Sequence, residues 1–96
     1  MNPTYTAVSI LISGRVQGVW FRASTKNEAD RLGLTGFVEN LPDGIVYIEA
    51  TGDPVKLDSF INWCNQGPEL AQVKEVIVRQ IKPSVMQRFE VRRFKH

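Results

Sequence analysis

The chain has 96 residues, 43% of them hydrophobic and 23% charged, with a formal net charge of +2. That is enough for a single domain, residues 1–96, with a core of its own, and the composition is that of an ordinary soluble globular protein. The charge is too small to imply a nucleic-acid partner, and no apolar run approaches the roughly 20 residues that a membrane helix needs.

A first strand is expected from Thr6 to Ser13, where Val8, Ile10 and Ile12 alternate with Ala7, Ser9, Leu11 and Ser13. A loop follows, Gly14-Arg15-Val16-Gln17-Gly18-Val19, whose glycines let the backbone turn sharply. The helix behind it is expected from near Trp20 to Leu32, with Gly33 as its C′ residue. Phe21, Thr25, Ala29 and Leu32 fall on one stripe that would face a sheet. A second strand, about Thr35 to Leu41, meets the turn Pro42-Asp43-Gly44, and a third runs from Ile45 to Thr51, so that the two form a hairpin.

Asp53-Pro54 has the form of a helix start, an N-cap acid followed by proline at the first helical position. That helix runs to about Gln66, with Leu57, Phe60, Ile61 and Cys64 on its apolar face, and Gly67-Pro68 stops it. Val73 to Ile81 and Phe89 to Phe94 read as two more strands, either a hairpin or a bulged strand and a short edge strand. The order βαββαβ plus a terminal strand gives an α+β class. It fits a split βαβ sandwich, an antiparallel sheet with both helices on one face.

The loop carries the chemistry. Placed between a strand and a helix N-terminus, it aims several backbone N–H groups into one concavity, which suits a phosphate. Arg22, in the first helical turn, brings a planar fork able to hold two oxygens of one anion. The spacing is neither the Walker pattern nor the dinucleotide fingerprint. In a split βαβ unit the first two strands run the same way, so their C-terminal ends share one sheet edge. Asn40 therefore comes to the same edge as the loop and Arg22. From the residues alone it could equally cap the turn that follows.

Ser13 to Arg22 closely resembles the first signature of the acylphosphatase family. Gly36-Phe37-Val38-Glu39-Asn40-Leu41-Pro42-Asp43-Gly44-Ile45-Val46, with Gly52 beyond it, resembles the second. The resemblance covers essentially the whole chain and implies the same ferredoxin-like arrangement. It implies hydrolysis of acyl phosphates to a carboxylate and inorganic phosphate, with Arg22 and Asn40 catalytic and Asn40 orienting the water. The phosphate-binding loop would be Arg15, Val16, Gln17, Gly18 and Val19. Glu39 departs from the pattern, which usually has a basic or neutral residue there, and its charge is expected to weaken phosphate binding slightly.

The residues around that loop have plainer readings as well. Arg15 is expected to point to solvent at the mouth, Gln17 to bond the loop backbone, and Trp20 either to flank the acyl group or to cover the loop. Glu39 should lie on the strand face opposite Asn40. The single cysteine, Cys64, is read as a buried, inert thiol, and the terminal His96 is given no catalytic part. Six basic residues between Arg79 and His96 against Glu90 read as a solvated strand face rather than a polyanion surface.

Neither an acid pair nor a metal-ligand cluster stands out, so no cofactor and no metal are expected. An acyl phosphate suits such a site, because its carboxylate leaving group needs no general acid. The partners expected are therefore small-molecule acyl phosphates and inorganic phosphate, handled by a monomer. Met1-Asn2-Pro3-Thr4-Tyr5 lacks the pattern of a signal peptide, which makes the cytoplasm the expected compartment. An RNA-recognition module of the same fold would need an aromatic motif on its central strands, and the third strand offers one tyrosine, Tyr47. A non-catalytic phosphate-ligand or partner-binding domain is the alternative reading.

Overall fold

The computed structural model describes residues 4–93. Phe94 and His96 therefore lie outside the described residues, and with them the expected last residue of the final strand. The elements are β1 (Thr6–Arg15), α1 (Phe21–Arg31), β2 (Thr35–Asn40), β3 (Val46–Gly52), α2 (Pro54–Gln66), β4 (Gln72–Ile81) and β5 (Phe89–Arg92). They build one five-stranded sheet in the order β4-β1-β3-β2-β5. This is the expected ferredoxin-like α+β arrangement. The last two strands do not form a hairpin: β4 borders β1 at one edge, and β5 runs parallel to β2 at the other.

Period-2 alternation decides which face is covered. Ile10, Ile12, Val38, Val46, Ile48 and Ala50 are fully buried and meet Phe21 and Ala29 of α1 and Leu57, Phe60 and Cys64 of α2 in one core. Burying each large aliphatic or aromatic side chain is worth about 1.5–3 kcal/mol, so this face supplies most of the stability. Phe60 stacks near-parallel on Trp63 and meets Phe89 edge-on, which pins α2 across the sheet. The caps follow the local chemistry. Asp53 accepts a hydrogen bond from Val55 N at 2.8 Å at the start of α2, and Gly33, at φ 72°, closes the end of α1.

β1 extends two residues past its expected end. Ser13 pairs with Glu75 but Gly14 with Val73, so β4 carries one extra residue, Lys74, as a bulge. The bulge lets pairing continue to Arg15 opposite Gln72. Gly14 is required there: a Cβ would run into the Gln72 carbonyl oxygen. Arg15 therefore ends a strand rather than opening the loop.

Gly36 has the same kind of necessity. At φ 137°, opposite Ala50, a Cβ would collide with the Glu49 carbonyl oxygen. Gly36→Ala is expected to cost roughly 3 kcal/mol, measured by urea unfolding, because it combines backbone strain with overpacking of a central ladder. Cys64 is fully buried, and burial, with a smaller contribution from Glu28, pushes its thiol far above the ordinary range. Native protein should leave a disulfide-exchange reagent untouched at pH 8, and unfolding should release one equivalent of reaction.

Candidate active site

The register of β3 sets the site. Val46 pairs with Ile12 on one side and with Asn40 on the other. The three residues form one row across the sheet on the helix-covered face. Asn40 is thus the polar end of a core-facing row. Its Oδ1 is buried and has no hydrogen-bond partner among the described residues. Leaving a polar atom in that state costs about 1–3 kcal/mol, an expense that native folds rarely tolerate without a use for it.

The loop after β1 reaches this row. Gly18 takes φ 72° with open space where a Cβ would stand, so its requirement is conformational rather than steric. Trp20 follows at φ 65°, ψ 20° as the N-cap of α1, without a side-chain cap. The helix proper therefore starts at Phe21, where its apolar stripe begins, one residue after the expected start near Trp20. Val16 and Val19 are buried and anchor the loop in the core.

Two side chains fasten this region to its neighbours. Gln17 donates through Nε2 to the carbonyls of Leu41 and Ile45, at 2.9 and 3.0 Å. It bonds the β2–β3 turn, not its own loop as its position suggests. Arg22 donates through Nη1 to the Arg92 carbonyl of β5 at 3.1 Å. A guanidinium has five N–H donors, so this contact orients the fork without consuming it.

A cleft of about 440 Å³ opens where these pieces meet, lined by Val16, Gly18, Trp20, Phe21, Arg22, Ala23, Asn40, Val91 and Arg93. A second groove of about 470 Å³, bounded by Gln17, Leu41 and Pro42, shares Arg22, Asn40 and Arg93 with it. Arg22 and Asn40 are thus brought together, as the parallel course of β1 and β2 requires. The arrangement can hold an anion by a guanidinium beside a loop and present an amide oxygen from a buried position.

The acylphosphatase family pattern matches residues 8–91. The chain belongs to that family. It is 51% identical over 74 residues to an acylphosphatase of Methylococcus capsulatus, covering 77% of this chain and 80% of the relative. It is 53% identical over 72 residues to one of Marinobacter nauticus, covering 75% and 78%. Among solved structures, an acylphosphatase from Coxiella burnetii superposes with a TM-score of 0.89 at 36% identity, covering 92% of this chain and 93% of that one.

Of the loop residues singled out in the sequence, Val16 and Gly18 line the cleft beside Trp20 and Gln17 the groove bounded by Leu41 and Pro42. The side chains of Arg15 and Val19 line neither. Glu39 lies on the open face, opposite Tyr47 and in register with Arg92. Burial, the hydrogen bond to Glu49 and the charges of Glu49 and Glu39 push the Tyr47 hydroxyl up to about 12. Arg93 lines both cleft and groove, although sequence reasoning placed it in a solvated strand face. The basic cluster after Arg79 was its only signal, and the parallel β2–β5 pairing is what carries it to the site.

The double tether of Gln17 is the locally testable feature. Leu41 O and Ile45 O each also accept a backbone bond, from Gly44 N and Leu41 N respectively. Gln17→Leu therefore leaves neither carbonyl bare, and should cost only about 1 kcal/mol in chemical denaturation.

Proposed function

We propose that the chain hydrolyses the carboxyl–phosphate bond of acyl phosphates, giving a carboxylate and inorganic phosphate, with Arg22 and Asn40 in distinct roles. The supporting observation is the buried, unpartnered Asn40 Oδ1 in the cleft that also contains Arg22. That oxygen is suited to accept a hydrogen bond from a water and so turn the water's lone pair toward phosphorus. Arg22 and the backbone N–H groups of the loop from Val16 to Val19 hold the phosphoryl oxygens and spread their charge, Arg15 being the last residue of β1.

Water attacks phosphorus in line while the bond from phosphorus to the carboxyl oxygen breaks. The electron pair leaves with the carboxylate, which is stable as an anion and takes no proton. The proton lost by the attacking water passes to a phosphoryl oxygen. An amide cannot serve as a base near neutrality, so the role of Asn40 is orientation. Positioning and charge stabilisation carry most of a phosphoryl transfer, which suits a site built from a guanidinium, an amide and a loop.

The two roles separate in kinetics. Arg22→Ala should raise the inhibition constant for inorganic phosphate and lower kcat, and lysine should rescue it poorly because a point charge lacks the fork. Asn40→Ala should lower kcat while leaving the phosphate constant nearly unchanged. Each loss in rate should be on the order of 10² to 10³, the scale for removing one transition-state donor or orienting group. Normal turnover in Asn40→Ala would reduce Asn40 to a turn residue. Binding of phosphate with no hydrolysis of acetyl or benzoyl phosphate by the wild type would favour a non-catalytic phosphate-binding domain.

The donor set around the cleft, guanidinium groups and an amide, is unsuited to a divalent cation. Turnover should therefore be the same in excess chelator as with added Mg²⁺, as followed by phosphate release.

A further inference from the structure

Trp20 is 77% exposed and is the one non-glycine residue with positive φ among the described residues. Both features are unfavourable for a tryptophan, since the left-handed region crowds its Cβ and its large apolar surface stays wet. Their combination at a cleft is informative, because strained backbone persists where the surrounding structure imposes it and clusters at ligand sites. Several other large apolar side chains are exposed, among them Val55, Leu70 and Val85. Of these exposed residues only Trp20 lines the cleft that contains Arg22 and Asn40.

The cleft is also larger and more apolar than a phosphoryl group requires. Its volume of about 440 Å³ lies within the roughly 300–1,000 Å³ range of clefts that hold whole small ligands. Beyond Arg22 and Asn40, Trp20, Ala23 and Val91 line it with carbon, and Arg93 is the further polar group. Since Trp20 is so exposed, it does not act as a lid buried over the loop, and its ring remains available to a ligand.

We propose that Trp20 is the platform for the acyl group and biases the enzyme toward acyl phosphates whose acyl part is aromatic. This rests on the hydrolytic reading above. In an aroyl phosphate the ring and the carbonyl are conjugated and flat, so the acyl part can stack on the indole while the phosphoryl group sits at Arg22. A short aliphatic acyl group has no such face to offer. The αL turn at Trp20 is what holds the indole at the mouth: in the ordinary helical conformation the residue would belong to the first turn of α1 instead of capping it.

The test compares benzoyl phosphate with acetyl phosphate in the wild type, Trp20→Ala and Trp20→Phe, together with the inhibition constant for inorganic phosphate. For benzoyl phosphate, Trp20→Ala should lose about tenfold in kcat/KM, mostly through KM, the scale of one aromatic contact with the area it covers. For acetyl phosphate the change should stay within about twofold, with the phosphate constant unmoved, and Trp20→Phe should restore most of the benzoyl preference. Equal losses on both substrates, or a shifted phosphate constant, would make Trp20 a support for the loop and overturn the proposal while leaving the hydrolytic reading intact. No change on either substrate would overturn it as well. Failure of the wild type to hydrolyse either compound would remove the hydrolytic reading itself and this proposal with it.

Discussion

Everything at the cleft depends on β3 pairing with β1 and β2 at once in a single register. Val46 is the shared rung, opposite Ile12 on one side and Asn40 on the other. With strands about 4.8 Å apart, Asn40 lies two spacings, about 10 Å, from the end of the β1 core row. Slipping β2 by one residue would turn Asn40 to the open face and put Glu39 in its place. Burial forbids that slip: Val38 lies on the same face of β2 as Asn40 and is fully buried against the helices. A hydrophobic requirement thus positions a polar side chain, and Gly36 makes the close β2–β3 approach possible.

The loop is held to this frame by two hydrogen-bonded straps of different kinds. Gln17 joins the loop to the β2–β3 turn, so the element that ends at Asn40 and the element that begins the loop move together. Arg22 is fixed from the other side by the Arg92 carbonyl on β5. Against these stand the local violations, a left-handed tryptophan and an unpartnered buried amide oxygen. They lie within one cleft, where the fold breaks its own rules and the rest of the core offsets the cost.

The sequence made the loop, the hairpin and the two helices legible because each is written in local terms: glycines at turns, Asp53-Pro54 at a cap, period-2 and period-3.6 stripes. The meeting of Arg22 and Asn40 was also legible, since it follows from strand direction alone. What escaped was long-range. Whether Gln17 bonds its own loop or a turn more than twenty residues away cannot be read from its neighbours in the chain. The placement of β4 and β5 at opposite edges was open for the same reason, and with it the arrival of Arg93 at the cleft. The length of β1 was underestimated because the compensating bulge lies on its partner, β4.

The sparse chemistry of the cleft matches the leaving group. Cleaving an ester of a poor leaving group calls for an acid, a base or a metal, each with partners that tune it. A carboxylate leaving group removes that demand. What remains is to hold a charged phosphoryl group, orient one water and receive an acyl group, tasks that a loop, a strand end and a helix start can share. All three meet at the one sheet edge where β1 and β2 both end, and β5 closes that edge by supplying a backbone carbonyl to Arg22 and the side chain of Val91 to the wall, with Arg93 just beyond its end. β5 is therefore part of the cleft rather than an appendage to the fold, because it gives the Arg22 guanidinium its backbone contact.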